Sequence, residues 1–230
     1  MQLNEVQVVS FDLDGTLVDS LTDLALSANS MRSFLNLPPL PVDLLKSFVG
    51  DGLATLVHRA LTASRDKLAE SELWEKGFKY YLTYYAAHLT DHTRPYPEAL
   101  EVLHYLKKLG YPVAVVTNKN EVFANKILKQ LGMSNFVSLL VGGDTLGAKK
   151  PSALPLNHIA EVFKIPVERL VIVGDSLNDA KAAQNAGAGF IGVTYGYELE
   201  LKNKLQQQKI PHLLLIQHLE ELYGAFETER

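Results

Sequence analysis

Phe11-Asp12-Leu13-Asp14-Gly15-Thr16 follows the apolar run Val6 to Val9 and precedes Asp19-Ser20, where helical periodicity begins. An apolar run closed by turn residues reads as the end of a buried strand. Side chains two apart on a strand project to the same side, so Asp12 and Asp14 are expected to emerge together where the strand stops. Paired carboxylates repel and resist desolvation unless positive charge compensates them. Mg²⁺ meets that need, because it takes hard oxygen ligands and binds through one or two carboxylates together with substrate phosphate. Gly15 allows a sharp departure from the strand. The same residues also make an ordinary Asp-rich turn, so the stretch gains meaning from what the rest of the chain sets beside it.

Downstream, residues 17–90 carry helical spacing without strand signals. Leu21, Leu24, Ala25, Ala28 and Met31 predict a helix over 21–34, capped by Asp19 or Ser20 and broken by Pro38-Pro39-Leu40-Pro41. Leu53, Leu56, Val57, Ala60 and Leu61 share a face of another helix, and a longer one is expected from Lys67 to His88, its aromatics packing between helices. From residue 91 the pattern changes. Strands are expected at Tyr111–Val116, Val137–Val141, Leu170–Val173, Phe190–Val193 and, at an edge, Leu213–Ile216, with helices between them. Pro95-Tyr96-Pro97-Glu98 is expected to open the first of these helices.

This alternation predicts an α/β fold with a Rossmann-like, mostly parallel sheet. The expected domains are a catalytic core of 1–16 plus 91–230 and an inserted all-helical cap of 17–90. In open parallel sheets ligands bind beyond the carboxyl ends of the strands. Asp12 and Asp14, Thr117-Asn118-Lys119, Lys149-Lys150 and Gly174-Asp175-Ser176-Leu177-Asn178-Asp179 all fall there.

Composition narrows the class. The chain has 230 residues, 47% hydrophobic and 21% charged, with a net charge of -4. That suffices for a sizeable core and gives no footprint of a nucleic-acid or membrane-surface binder. No apolar run is long enough to cross a bilayer. With no cysteine, disulfides, thiolate nucleophiles and Cys-ligated metal sites are excluded. A cytoplasmic location is expected, since Met1-Gln2-Leu3-Asn4-Glu5 lacks the start of a signal peptide. The seven histidines show no shared metal spacing.

The acidic set can do phosphoryl chemistry. Asp12, Asp175 and the backbone carbonyl of Asp14 are candidate Mg²⁺ ligands, with Asp179 joining directly or through water. Asp12 is then placed to attack phosphorus. Asp14 is the candidate for giving a proton to the leaving oxygen and taking one from water. Thr117 and Asn118 are candidates to bind the phosphoryl oxygens, and Lys150 to neutralise charge and orient Asp12. Standing alone, each has a plainer reading: a turn, a solvated lysine pair, a helix N-cap with an acidic first turn.

Together these elements resemble the haloacid dehalogenase superfamily of phosphatases. Phe11-Asp-Leu-Asp-Gly-Thr16 resembles its first motif, Val115-Val-Thr-Asn118 its second, Lys150-Pro151 its third and Gly174-Asp-Ser-Leu-Asn-Asp179 its fourth. The third continues as Ser152-Ala153, where many relatives read Lys-Pro-x-Pro. The resemblance implies Mg²⁺ dependence, Asp12 as nucleophile and Asp14 as acid and base. Val49-Gly-Asp-Gly-Leu53 and Val193-Thr-Tyr-Gly-Tyr197 are similar to the branch that hydrolyses 2-phosphoglycolate, which makes this small phosphomonoester the expected substrate and partner. A monomer or homodimer is expected. A phosphosugar mutase, a phosphatase for another sugar phosphate or pyrophosphate, and a non-catalytic phosphate-responsive protein are the alternatives.

Overall fold

A computed structural model describes residues 2–226. The chain runs through β1 (Val8–Phe11), β2 (Val18–Asp19), α1 (Leu21–Phe34), α2 (Val42–Lys46), α3 (Leu53–Thr62), α4 (Ser71–Ala87) and β3 (Arg94–Pro95). It continues with α5 (Ala99–Lys108), β4 (Val113–Val116), α6 (Glu121–Gln130), β5 (Leu139–Val141), α7 (Leu154–Phe163), β6 (Leu170–Gly174) and α8 (Leu177–Ala186). β7 (Gly189–Val193), α9 (Leu201–Gln208), β8 (Leu214–Ile216) and α10 (Glu221–Phe226) complete it. Two compact units result: Met1–Asp19 with Pro95–Arg230, and Ser20–Arg94. β2 and β3 make up a separate two-stranded sheet.

In the first unit, six of the described strands form one sheet in the order β5-β4-β1-β6-β7-β8. Every pairing in it is parallel. β1, β4, β6 and β7 are buried along their whole length, as expected where helices cover both faces of a parallel sheet. That is why Val-Val-Ser-Phe and Leu-Val-Ile-Val read as near-continuous apolar runs. Strand order reverses at β1, which lies between β4 and β6. The carboxyl ends of these three strands thus form the switch point where open sheets bind ligands.

In the second unit, α1 to α4 pack around Met31, Val57, Tyr81 and Tyr85, all buried. Arg32, also buried, donates to the carbonyls of Pro38 (2.6 Å), Leu61 (3.3 Å) and Ala60, tying the Pro-rich loop to the end of α3. Asp23 accepts from the backbone N–H groups of His92 and Thr93 and from the Thr93 hydroxyl (2.7 Å), and pairs with His92 Nδ1 (2.9 Å). Burial alone would raise the Asp23 pKa; these donors hold it below the usual value.

Several boundaries differ from expectation for local reasons. α4 starts at Ser71 rather than Lys67, and the Ala69 N–H just before it goes to His58 Nδ1 on α3 instead of into a helix. β4 starts after Pro112, which has no N–H for the ladder. β5 starts at Leu139 because Ser134–Phe136 is a 3-10 turn. The Pro95–Glu98 segment precedes α5 rather than opening it, Glu98 taking a left-handed N-cap conformation. Ser20 occupies the N-cap of α1, but its side chain makes no capping bond. No helix among the described residues is long and apolar enough to cross a membrane.

Candidate active site

β1 ends at Phe11, and Asp12 follows at once, its N–H still bonded to Val173 O of β6 at 2.9 Å. Leu17 and Val18 N–H both return to Leu13 O at 3.0 Å, so residues 13–18 form a closed turn. Asp12 and Asp14 therefore lie beyond the regular strand. A turn, not the strand alternation expected from sequence, sets Asp14. Gly15 sits in it at φ 85°, and a Cβ there would strike the Asp175 carboxylate.

Lys150 reaches in from the segment after β5. Its Nζ lies 2.9 Å from Asp12 Oδ1, 2.6 Å from Asp179 Oδ1 and 2.7 Å from Val116 O. Burial alone would push this lysine's pKa down, but Asp12 and Asp179 raise it above the usual value, so it is an ammonium.

Asp175 and Asp179 come from the turn between β6 and the start of α8. The Ser176 side chain accepts the Asp179 N–H, while Asp179 Oδ2 accepts Ser176 N–H (3.1 Å) and Oγ–H (2.6 Å). This is a capping box. The plain N-cap reading of this motif is thus realised, and the same Asp179 turns its other oxygen to Lys150. Asp175 Oδ2 accepts the Tyr197 N–H at 2.6 Å. Gly196, just before it, passes so close to Asp175 that any Cβ would collide. Tyr195 and Tyr197 hold this loop by donating to Thr16 O (2.8 Å) and Asp19 Oδ1 (3.0 Å).

At the end of β4, Thr117 Oγ1 accepts the Lys119 N–H (3.2 Å), and Asn118 Nδ2 donates to Lys150 O (2.9 Å). All seven residues singled out from sequence thus gather at one edge of the sheet: Asp12, Asp14, Thr117, Asn118, Lys150, Asp175 and Asp179. One more joins them. Lys119 Nζ lies 2.8 Å from Asp14 Oδ2, with only 1% of the Lys119 side chain exposed. A lysine beside a turn reads as solvated. The signal was in the charge count, for four acids converged with a single assigned cation.

One oxygen each of Asp12, Asp175 and Asp179 lie within 4.8 Å of one another, and all three residues are buried. Burial drives the Asp12 pKa up to about 7; Lys150 opposes this, and Asp179 and Asp14 add to it. Asp175 is likewise raised well above its ordinary value, first by burial and then by Asp12 and Asp179. Were all four acids ionised, two ammonium groups would leave two negative charges uncompensated, the excess that one divalent cation would cancel. An all-oxygen donor set fits a hard cation. Asp179 is held by Lys150 and Ser176, and Asp12 and Asp175, both with raised pKa values, are the pair that a cation would relieve.

Residues 9–193 match the family model of haloacid dehalogenase-like hydrolases. A phosphoglycolate phosphatase of Neisseria meningitidis is 55% identical over 195 residues, covering 85% of this chain and 83% of that protein. One from Chromobacterium violaceum is 50% identical over 197 residues, 86% of this chain and 89% of its own. Among solved structures, a predicted phosphoglycolate phosphatase of Haemophilus somnus superposes with a TM-score of 0.87 at 32% identity, covering 96% of this chain and 97% of its own. A subfamily IA hydrolase of Geobacter sulfurreducens, at 18% identity and TM-score 0.71, shares the fold.

Proposed function

This chain belongs to the haloacid dehalogenase-like hydrolase family, and from that premise we propose that it is a Mg²⁺-dependent phosphatase that hydrolyses 2-phosphoglycolate to glycolate and phosphate. The observation that carries the reading is the convergence of Asp12, Asp14, Lys150 and Asp175 at the switch point of the sheet, in a chain half identical to proteins named for that activity.

In this reading Asp12 Oδ attacks phosphorus, forming an aspartyl-phosphate as the P–O bond to glycolate breaks. Asp14 delivers a proton to the departing oxygen. It then takes one from the water that attacks the aspartyl-phosphate, releasing phosphate and restoring Asp12. Lys150 holds the Asp12 carboxylate in line and offsets charge on the phosphoryl oxygens. Thr117 Oγ1, whose lone pair is engaged by Lys119 N–H, turns its own proton outward to a phosphoryl oxygen. Asn118 fixes the Lys150 backbone through its amide as well as facing the phosphate. Asp12 and Asp175 would hold Mg²⁺ with the Asp14 carbonyl, Asp179 joining them directly or through water. Bound there, the ion would withdraw charge from the phosphoryl group and align it. Residues this buried favour positioning over flexibility, as phosphoryl transfer requires. In this reading it is a cytoplasmic enzyme acting on small molecules, monomeric or homodimeric, and a net charge of -4 accords with its not binding nucleic acid.

The test is phosphate release from a panel containing 2-phosphoglycolate, hexose phosphates, nucleotides and pyrophosphate. It is run with Mg²⁺, Mn²⁺ or EDTA, on the wild type and Asp12→Asn. Mg²⁺-dependent release that is highest on 2-phosphoglycolate and lost in the variant is expected. A maximum on another ester overturns the substrate, isomerisation of a hexose phosphate without release points to a mutase, and undiminished release by Asp12→Asn overturns the nucleophile.

A further inference from the structure

The mechanism above assigns no work to Lys119. Its ammonium is as deeply buried as that of Lys150, and a desolvated charge persists only when matched. The two lysines hold three of the four acids: Lys150 holds Asp12 and Asp179, and Lys119 holds Asp14.

The backbone beneath Lys119 is fixed with unusual thoroughness. Its N–H is held by Thr117 Oγ1, and its carbonyl accepts the Gly143 N–H at 2.7 Å. Any Cβ on Gly143 would collide with the Asn118 carbonyl, so only glycine permits this approach. Asp144 then takes the Glu121 N–H (2.8 Å) and the Asn120 side-chain amide (2.9 Å). It thereby supplies from a separate loop the carboxylate cap of α6, which begins two residues after Lys119. A segment pinned on both sides to the Gly142-Gly143-Asp144 turn places its side chain as reproducibly as a strand does. Such placement is more than is needed to neutralise one acid.

The position of Lys119 relative to the reacting atoms follows from the proposed function, on which this step rests. In an in-line displacement the leaving oxygen lies on the far side of phosphorus from Asp12, beside Asp14. Lys150 faces Asp12 and belongs to the phosphoryl side, whereas Lys119, in contact with Asp14, belongs to the side of the departing alcohol. We infer that Lys119 is a specificity-determining residue that pairs with a carboxylate carried on the alcohol part of the substrate, exchanging Asp14 for it as substrate binds. The substrate class is therefore phosphate esters of short hydroxy acids. Their carboxylate stands next to the ester carbon, so one compact molecule carries a dianionic head for Lys150 and a carboxylate for Lys119. An ester with a neutral tail leaves Lys119 with Asp14 and gains nothing from it.

The experiment compares kcat/KM for 2-phosphoglycolate with that for its amide, 2-phosphoglycolamide, in wild type, Lys119→Met and Lys119→Arg with saturating Mg²⁺. Both substrates are read on the same preparation, so partial unfolding of a variant cancels in the ratio. The wild type is expected to favour the acid. Lys119→Met is expected to lower that preference by about 10- to 100-fold, the loss of one charge-assisted hydrogen bond, and Lys119→Arg to keep most of it. A wild-type preference that survives unchanged in Lys119→Met overturns the inference while the substrate reading stands, because Lys119 then serves Asp14 alone. Equal use of acid and amide by the wild type also overturns the inference, whereas the substrate reading falls only if another ester of the panel is used better than 2-phosphoglycolate.

Discussion

Replacing Asp12 by asparagine should make the metal-free protein more stable at pH 8 while abolishing its activity. The wild-type carboxylate is buried, and burial, assisted by Asp179 and Asp14, raises its pKa from 3.8 to about 7 despite Lys150. A carboxyl group with a raised folded-state pKa contributes no penalty below pH 4, where it is protonated in both states. Between pH 4 and 7 the unfolded chain ionises first, so stability falls as pH rises, and the loss is complete above 7. The gap of about 3 pH units corresponds to about 4 kcal/mol at most. The amide cannot ionise and escapes this loss, but it gives up the 2.9 Å ion pair with Lys150, which keeps Asp179 and Val116 O as partners. Relief of Asp175, whose pKa Asp12 also raises, works in the variant's favour. A net gain of about 1–3 kcal/mol at pH 8 is expected, or several degrees in Tm for a chain of this size. Urea and thermal unfolding in EDTA, from pH 4.5 to 8, will read it. The two proteins should converge near pH 4.5 and separate as pH rises, and added Mg²⁺ should favour the wild type. A variant equally or less stable at pH 8, or a difference that ignores pH, would refute the reasoning.

Lys150→Met leaves Asp12 and Asp179 facing each other without their shared cation; removing one partner of a buried pair costs about 3–5 kcal/mol, visible in urea unfolding at pH 8, and activity should be undetectable. Adding Asp12→Asn should recover part of that stability but none of the activity. Gly196→Ala drives a methyl into Asp175, and the Mg²⁺ concentration for half-maximal activity should rise at least tenfold; an unchanged Mg²⁺ titration would show that the 194–197 loop gives way instead. Asp23→Asn forces an amide group toward donors from Thr93 and His92 and should cost about 1–3 kcal/mol. Because the Asp23 pKa is held below 3.8, its contribution is present above about pH 4 and lost as pH falls through the folded-state value. The wild type and the variant should therefore differ at pH 7 and converge in acid, as followed by far-ultraviolet circular dichroism.

The sheet was readable because a parallel strand buried on both faces must be nearly continuous in apolar residues, as Leu170–Val173 is and as Val8–Phe11 is but for Ser10, whose buried hydroxyl donates to Val171 O. The site was readable because its acids sit where such strands end. What escaped was the set of interactions that leave no periodic trace. The Lys119–Asp14 pair links the ends of two strands, and nothing local distinguishes this lysine from a solvated one. The hold of Tyr197 on Asp175 is a backbone N–H, which every residue but proline carries, so its side chain announced nothing. Gly196 was noticed as part of a motif, yet its purpose, space for Asp175, becomes evident only when β6 and β7 lie side by side. Ser20 shows the reverse: a preferred capping residue at a helix start whose hydroxyl does not cap.

The place of β1 in the sheet bears on how the protein is made. Its four residues are synthesised before both of their neighbours, residues 113–115 on one side and 170–173 on the other. The mostly apolar Val8–Phe11 segment must therefore wait, both edges unsatisfied, while the intervening helical unit of residues 20–94 is synthesised. During that interval the nascent chain displays an open strand that invites association with other chains. Synthesis must pass residue 174 before Asp12 gains Asp175 as a neighbour, so truncated products that have already built the helical unit carry no assembled acidic site.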